Sequence, residues 1–309
     1  MIFLSPQTSD LIADRNELLA EALRPYELPF SIAEEYPIVL DAACSEFSHV
    51  LLENDEIVAH ANLWPRSLHH RSTDTTLLVG LVGNVATSKK WRGKGYMSKL
   101  IGHLAEQAVR QKMMALILWS DLQSFYEKLG FKTLGKEYRF TFTRKDLRKS
   151  IKVCPSRLQG IIADDIKPDD RKQMLQLRYP VPCTLCRSEE EYAKLLKIPA
   201  LQVFVSKSSP MDSFFIMGKG YDMAGVIHEW GCANQNHLLS GVLNIMEITG
   251  LEEIILLCPG GINKTWLDYL TRFSRKREVH PMALYCPLVE DKAVHKLLHE
   301  SFIWGVDSI

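Results

Sequence analysis

No stretch of the 309 residues approaches the run of about 18 apolar positions that a membrane-spanning helix needs; the nearest, Thr75 to Ala86, is broken by Gly80, Gly83 and Asn84. An excess of one charge is missing too. Lys plus Arg and Asp plus Glu both number 37, so no global field draws the chain to nucleic acid or to an anionic membrane. Any charge-driven chemistry must come from a local cluster. The opening Met1-Ile2-Phe3-Leu4-Ser5-Pro6 lacks the basic and apolar regions of a secretory signal, which makes the cytoplasm the expected location. Cysteines are scattered and odd in number, seven in all (44, 154, 183, 186, 232, 258 and 286), an arrangement that argues against a disulfide framework and for reduced, mostly buried thiols. The one close pair, Cys183 and Cys186, has no second pair or histidine at ligand spacing, so no metal is expected.

What is present is ordinary globular usage, 46% hydrophobic and 24% charged, at a length suited to two domains of roughly 150 residues. Helical spacing of Leu11, Ile12, Leu18, Leu19 and Leu23 precedes Pro25, and a second helix is expected from Ile38 to Phe47. Residues 49 to 64 read as two strands joined at Asn54-Asp55, a pair suited to a tight hairpin. A longer strand follows from Thr76 to Ala86, then a basic glycine-bearing loop, then a helix from Tyr96 to Gln111 with Leu100, Ile101, Leu104 and Ala108 on one face. A buried strand from Ala115 to Trp119, a short helix from Ser124 to Leu129 and strands near 131–134 and 138–142 complete the first pattern. The polar run Thr143 to Lys149 suggests a boundary at residue 148. After it the strand, helix, strand, helix order recurs across residues 224 to 273. The expected architecture is α/β (α+β), a tandem of two similar folds, residues 1–148 and 149–309.

The chemistry concentrates in Val82-Gly-Asn-Val-Ala-Thr-Ser-Lys-Lys-Trp-Arg-Gly-Lys-Gly-Tyr-Met97. Backbone N–H groups at a helix start carry partial positive charge, and glycine lets them approach an oxyanion without a Cβ in the way. Lys89, Lys90, Arg92, Lys94 and Lys99 add cationic side chains, enough for a pyrophosphate and a ribose phosphate. A solvated basic loop is the plainer reading.

In strand, loop, helix order this segment resembles the acetyl-CoA loop of the GNAT superfamily of N-acetyltransferases, R-x-x-G-x-G or R-x-x-G-x-A after the fourth strand. Arg92 and Gly95 match the pattern, while Met97 stands where it has Gly or Ala. Trp119-Ser-Asp-Leu-Gln-Ser-Phe-Tyr-Glu-Lys-Leu-Gly-Phe131 resembles the family's Phe-Tyr-x-x-x-Gly-Phe segment after the fifth strand. The resemblance implies a mixed, mostly antiparallel sheet flanked by helices in each half. It implies acetyl-CoA held by Arg92, Gly93, Lys94, Gly95, Tyr96 and Met97, with backbone groups of Val85, Ala86 and Thr87 along the pantetheine arm and Ser120 opposite. Tyr126 matches the tyrosine that in many members protonates the departing thiolate. A phenol with a reference pKa of about 10 can do so without being ionised at neutral pH; simple packing in the short helix is the alternative role.

The second half has no equivalent basic loop after Trp230, so it reads as a degenerate copy that completes the acceptor site, similar to the enhanced-intracellular-survival type of acetyltransferase. No general base can be assigned among His60, His69, His70, Asp121 and Glu229, each with an ordinary structural role as its alternative. In some tandem members the terminal carboxylate enters the active site, and Ile309 is the residue to examine, against an ordinary edge strand. The basic knot Arg272, Arg275, Lys276 and Arg277 reads as a solvated face.

A dinucleotide-binding oxidoreductase is disfavoured, because Ser88 to Arg92 separate the strand from the glycines. The expected function is therefore acetyl transfer from acetyl-CoA to a primary amine of a small molecule or peptide. Attack is direct, since no cysteine sits beside the loop to carry an acyl-enzyme. A non-catalytic acyl-CoA-binding or partner-binding module on the same fold is the rival. The acceptor wall is expected from loops such as Pro65 to Asp74, and homo-oligomerisation stays open.

Overall fold

A computed structural model describes residues 1–151 and 157–309; Cys154 lies outside the described residues. In chain order the strands are β1 (Ile2–Leu4), β2 (Ser48–Glu53), β3 (Glu56–His70), β4 (Thr75–Thr87), β5 (Ala115–Leu118), β6 (Lys132–Leu134), β7 (Glu137–Thr143), β8 (Leu158–Ile161), β9 (Cys183–Leu185), β10 (Gln202–Ser206), β11 (Ser213–Met217), β12 (Val226–Cys232), β13 (Glu253–Pro259), β14 (Lys276–His280) and β15 (Ala283–Pro287). The helices are α1 (Ser9–Leu23), α2 (Ile32–Glu35), α3 (Tyr96–Arg110), α4 (Gln123–Glu127), α5 (Arg144–Ser150), α6 (Pro168–Leu177), α7 (Glu189–Leu195), α8 (Gln235–Thr249), α9 (Lys264–Phe273) and α10 (Lys292–His299).

Two mixed, mostly antiparallel sheets flanked by helices result, as expected of a tandem GNAT-like α/β chain. One runs β1-β2-β3-β4-β5-β15-β6 with β9 beside β3, and the other runs β14-β7-β13-β12-β11-β10-β8. The expected hairpin at Asn54-Asp55 forms. Both residues take φ in the left-handed region, 51° and 60°, which gives the turn the twist of the flanking strands. The expected helix over residues 96 to 111 forms as α3, and its apolar face, Leu100, Ile101, Leu104 and Ala108, is buried against β3, β4 and β5. Each fully buried leucine on that face stabilises the fold by roughly 1.5–3 kcal/mol.

Two expectations need correction. Residues 38–47 do not form one helix. A single turn, α2, precedes them, and residues 42–47 form a tight helix broken at Cys44, because Pro37 and the Asp41 cap divide the segment. Pro65 to His70 is strand rather than loop: β3 continues past Trp64 and pairs with β4 from Leu63–Val82 down to His70–Thr75. The polar run after β7 is helix α5, capped by the Thr143 hydroxyl accepting from Asp146 N–H. Strands from either side of residue 148 also share both sheets. β7 pairs β13 and β14 in the second sheet, while β15 enters the first sheet between β5 and β6, and β9 joins it alongside β3. A cut at residue 148 separates strands of both sheets.

Each sheet contains one short parallel junction of consecutive strands. β4 pairs β5 at Gly80–Leu116 and Leu81–Ile117, and β12 pairs β13 at Val226–Ile255 and Ile227–Leu256. Among the described residues the parallel ladders stop at these pairs. In the second sheet the opening is closed by the chain itself, since Arg178 bridges Gly231 and Tyr179 N–H donates to Trp230 O. Tyr179, Trp266 and Trp304 then pack around Trp230. In the first sheet, among the described residues, no strand pairs with the β5-facing edge of β4 past Leu81. Among the described residues no helix is long and apolar enough to cross a membrane.

Candidate active site

The open edge of β4 leads directly into the basic loop. Gly93 and Gly95 both take left-handed φ, 78° and 77°, and nothing lies within 4 Å of a Cβ built on either. Their role is conformational: they turn the chain into α3 and leave its mouth clear. Gly95 caps α3 without any side-chain bond, so the first N–H groups of this fifteen-residue helix have no capping acceptor and favour an anion. Arg92 Nε donates to Thr87 O at 3.2 Å, which ties the loop to the end of β4, and Lys94 Nζ lies 4.2 Å over the Trp91 ring. Arg92 and Lys94 are exposed and form no ion pair among the described residues, whereas Lys89 and Lys90 pair with Glu21 at 3.1 Å and Glu56 at 2.6 Å. The five-cation cluster expected from sequence is thus divided: Lys89 and Lys90 form ion pairs, while Arg92 ties back to β4 and Lys94 lies over Trp91.

Tyr126 is buried in the same apolar cluster as Val82, Tyr96 and Leu118, against which Val85 and Met97 pack. Burial pushes its phenol up to about 12, while a hydrogen bond with Ser120 pulls the other way. The phenol therefore stays protonated at neutral pH and remains a donor. Ser120 in turn accepts from Leu122 N–H at 3.1 Å, which fixes its hydroxyl at the end of β5. The structure thus brings Ser120 and Tyr126 together on one side and places Val85, Ala86 and Thr87 at the end of β4, where the strand pairs with β3 beyond its last β5 pair. Met97, the departure from the loop pattern, is half-buried against the same cluster and leaves the loop intact.

The proposed bases fare differently. Glu229 is fully buried and held bidentately by Arg187 at 2.7 and 2.6 Å, with Arg178 at 3.6 Å, so it is a structural anion rather than a free base. His60 is sealed in the core and driven down to about 3 by burial. His70 contacts Thr73 and Glu300, His69 lies 3.7 Å from the exposed Asp74, and Asp121 is exposed.

The tail is neither frayed nor an edge strand. Residues 302–307 are buried, with a turn of tight helix at Gly305–Asp307, and a Cβ on Gly83 would come within 2.5 Å of Ile309 O. The end of the tail therefore lies against the middle of β4. Charged groups hold it there. Arg187 binds Asp307 at 2.8 and 2.6 Å, Arg66 from β3 approaches Asp307 at 3.8 Å, and Lys219 Nζ donates to the carbonyls of Gly305 and Ser308. Burial alone would raise the Asp307 carboxyl, but the Arg187 guanidinium outweighs it and holds the group below its usual range. Burial lowers Lys219 to about 8.

Beside Ile309 lies a closed-down cavity lined by Tyr36, Trp64, Leu195, Ile198 and Lys219, with room for about one water molecule. Its rim joins the two halves. Arg24 Nε donates to Glu35 at 2.7 Å, Glu35 accepts from Tyr221 N–H at 2.7 Å, and Tyr36 OH donates to Asp222 at 3.2 Å. The two contacts that cross between the halves, Glu35 with Tyr221 and Tyr36 with Asp222, carried no sequence signal, because their partners are 186 positions apart. Among the described residues no group of three or more His, Cys, Asp or Glu side chains is arranged to hold a metal ion. The six described cysteines are free; Cys183 and Cys258 are buried and Cys186 is exposed, with the others between, so fewer thiols are buried than expected.

A family profile for a GNAT acetyltransferase domain matches residues 5–134. No curated protein sequence matches the chain. Among solved structures, a GCN5-related N-acetyltransferase from Anabaena variabilis is 13% identical with a TM-score of 0.68, covering 93% of this chain and 73% of that one. Eis1 from Mycobacterium abscessus is 10% identical with a TM-score of 0.61, covering 93% and 74%. Saccharomyces cerevisiae N-myristoyltransferase with bound myristoyl-CoA is 10% identical with a TM-score of 0.56, covering 92% and 78%. At such identities the likeness is one of fold, and it spans both halves.

Proposed function

We propose that the protein is an acyl-CoA-dependent N-acyltransferase that uses acetyl-CoA to acetylate a primary amine, a reading supported by the match of a GNAT acetyltransferase profile to residues 5–134. The observation that carries this reading is the pairing of an unpaired β4 edge with a glycine-cleared, uncapped helix start at α3. An extended thioester arm needs the first and a pyrophosphate needs the second. The phosphates would lie on the N–H groups after Gly93 and Gly95, with Arg92 and Lys94 supplying charge. The pantetheine would run along Val85 to Thr87, and an N–H there would polarise the thioester carbonyl.

The amine attacks that carbonyl directly, a C–N bond forms, the C–S bond breaks, the Tyr126 phenol supplies a proton to the leaving sulfur, and the proton lost by the amine nitrogen returns through solvent to the phenolate. Residues 1–148 would carry the donor, while 149–309 would close the acceptor side through Lys219, Leu195 and the tail. The acceptor would be a small-molecule or peptide amine entering beside Tyr36 and Trp64, and the proposed setting is the cytoplasm.

Calorimetric titration with acetyl-CoA and with octanoyl-CoA tests the reading. Micromolar binding of acetyl-CoA that Arg92→Ala with Lys94→Ala weakens at least tenfold, about 1.4 kcal/mol, is the expected result. Octanoyl-CoA binding more tightly would replace the acetyl donor with a longer one. Tyr126→Phe is expected to keep the affinity and lose turnover, and full turnover in that variant would remove the phenol from the mechanism. No turnover by the wild-type protein with any amine would favour the non-catalytic acyl-CoA-binding module.

A further inference from the structure

The β3–β4 ladder slips by one residue at the site. Asn62 pairs Gly83 and His60 pairs Ala86, so Ala61 alone faces both Asn84 and Val85. Such a bulge bends its strand and leaves ladder groups unpaired. Here side chains from β3 take up the slack. His60 Nδ1 lies 2.8 Å from Asn84 O, and because a carbonyl only accepts, this nitrogen carries the proton. Asn84 Nδ2 donates to Asn62 Oδ1 at 2.9 Å. Asn62 Nδ2 in turn reaches Val39 O and Phe47 O at 3.0 Å and Ser48 Oγ at 3.1 Å, and Arg15 binds Ser48 Oγ and Leu40 O from behind.

The arrangement is not what stability alone would select. Asn84 holds a left-handed φ of 48° within a strand, and His60 Nε2 and Asn84 Oδ1 are buried without partners. A buried acceptor without a partner is costly, and strain retained in this way clusters at functional sites. The bulge lies just past the last β4–β5 pair, Leu81–Ile117, and just before the backbone of Val85 to Thr87.

We propose that His60, Asn62 and Asn84 are positioning residues that hold the β4 bulge and thereby set the splay of β4 from β5 along which the thioester arm of the donor lies. The inference rests on the acyl-CoA reading above and concerns the arm, not the phosphate loop. It therefore separates two ligands: acetyl-CoA, which uses both, and adenosine bisphosphate, the nucleotide fragment that uses the loop alone.

The test is calorimetry with both ligands on wild type, His60→Leu and His60→Asn, well below each melting temperature. His60→Leu removes the donor to Asn84 O, while His60→Asn offers an amide N–H in place of Nδ1. The expected result is at least tenfold weaker acetyl-CoA binding in His60→Leu, adenosine bisphosphate within twofold of wild type, and recovery of most of the loss in His60→Asn. Where His60→Leu does not fold, Asn84→Gly keeps the left-handed φ, deletes the Asn62 link, and carries the same expected selectivity. Equal weakening of both ligands, unchanged acetyl-CoA affinity, or no recovery in His60→Asn overturns the inference. Wild-type protein that binds no acetyl-CoA overturns the functional reading with it, whereas wild-type binding that His60→Leu leaves intact overturns the inference alone.

Discussion

Gly83→Ala is the sharpest perturbation of the junction between tail and sheet. A Cβ there would come within 2.5 Å of Ile309 O, whereas ordinary contact begins near 3.4 Å, so one side must give by about 0.9 Å. β4 is held on its other edge by β3, with Gly83 opposite Asn62. The tail is fixed by the Arg187–Asp307 pair and by Lys219, whose three carbonyl contacts leave it little slack. Overpacking at such a site costs about 1–3 kcal/mol, which lowers the melting temperature of a chain this size by roughly 2–10 °C. The tail should yield first, so limited proteolysis should cut within residues 302–309 in the variant under conditions that spare the wild type. Gly95→Ala is the control. Its Cβ meets nothing within 4 Å, so it costs only the left-handed backbone penalty of about 1–2 kcal/mol and leaves the tail protected. A Gly83→Ala protein with wild-type melting and an equally protected tail would refute the placement of Ile309 against β4.

Arg187→Leu removes the cation shared by two fully buried carboxylates, Glu229 and Asp307, and should cost about 3–5 kcal/mol in urea unfolding. A loss under 1 kcal/mol would show that Arg178 and Arg66, at 3.6 and 3.8 Å, already neutralise them. Acid stability should fall early. Burial drives both His60 and His228 from 6.5 down to about 3, so the unfolded rings bind protons across that window while the folded ones do not. Unfolding is therefore favoured as pH falls from 6.5 towards 3, by up to about 1.4 kcal/mol per pH unit for each ring. Urea midpoints that stay level between pH 6.5 and 4 would contradict the burial of these histidines.

Legibility followed the range of the interactions. The loop from Lys89 to Met97 and the α4 segment around Tyr126 are local. Glycine at left-handed positions, a helix start and an apolar stripe leave marks within a dozen residues, and both were placed on the elements the sequence suggests. The extension of β3 through Pro65 was missed because its strand character comes from pairing with β4 and β9, not from local propensity. Glu229 looked free in sequence, since Arg187, Arg178 and Asp307 lie 42, 51 and 78 positions away, and only the fold makes it an ion-paired anion. The same holds for the tail. Its apolar residues suggested that it was tied down, but the lysine and arginine that bind it are remote in sequence, and a 3-10 turn with no strand periodicity carried no sign of β4 as its target.

The exchange of strands has a consequence for how the halves form. Among the described residues β6 pairs only with β15, and β15 spans Ala283–Pro287, so a fragment of residues 1–148 would leave β6 unpaired and the outer edge of β5 bare. That edge is Ala115 to Leu118, four buried apolar residues, and an exposed strand of this composition is a template for aggregation. The same fragment would also carry β7 without β13 or β14, exposing Phe140 and Phe142, which are fully buried in the whole chain. The fragment alone is therefore expected to be insoluble or to bind a hydrophobic dye without a cooperative melt, and co-expression with 149–309 should restore a soluble pair. A monomeric 1–148 fragment that melts cooperatively and binds acetyl-CoA would show that strand exchange decorates an autonomous domain. The expected failure would instead place the repeat's origin behind it, with two copies that have since traded strands and now fold as one unit.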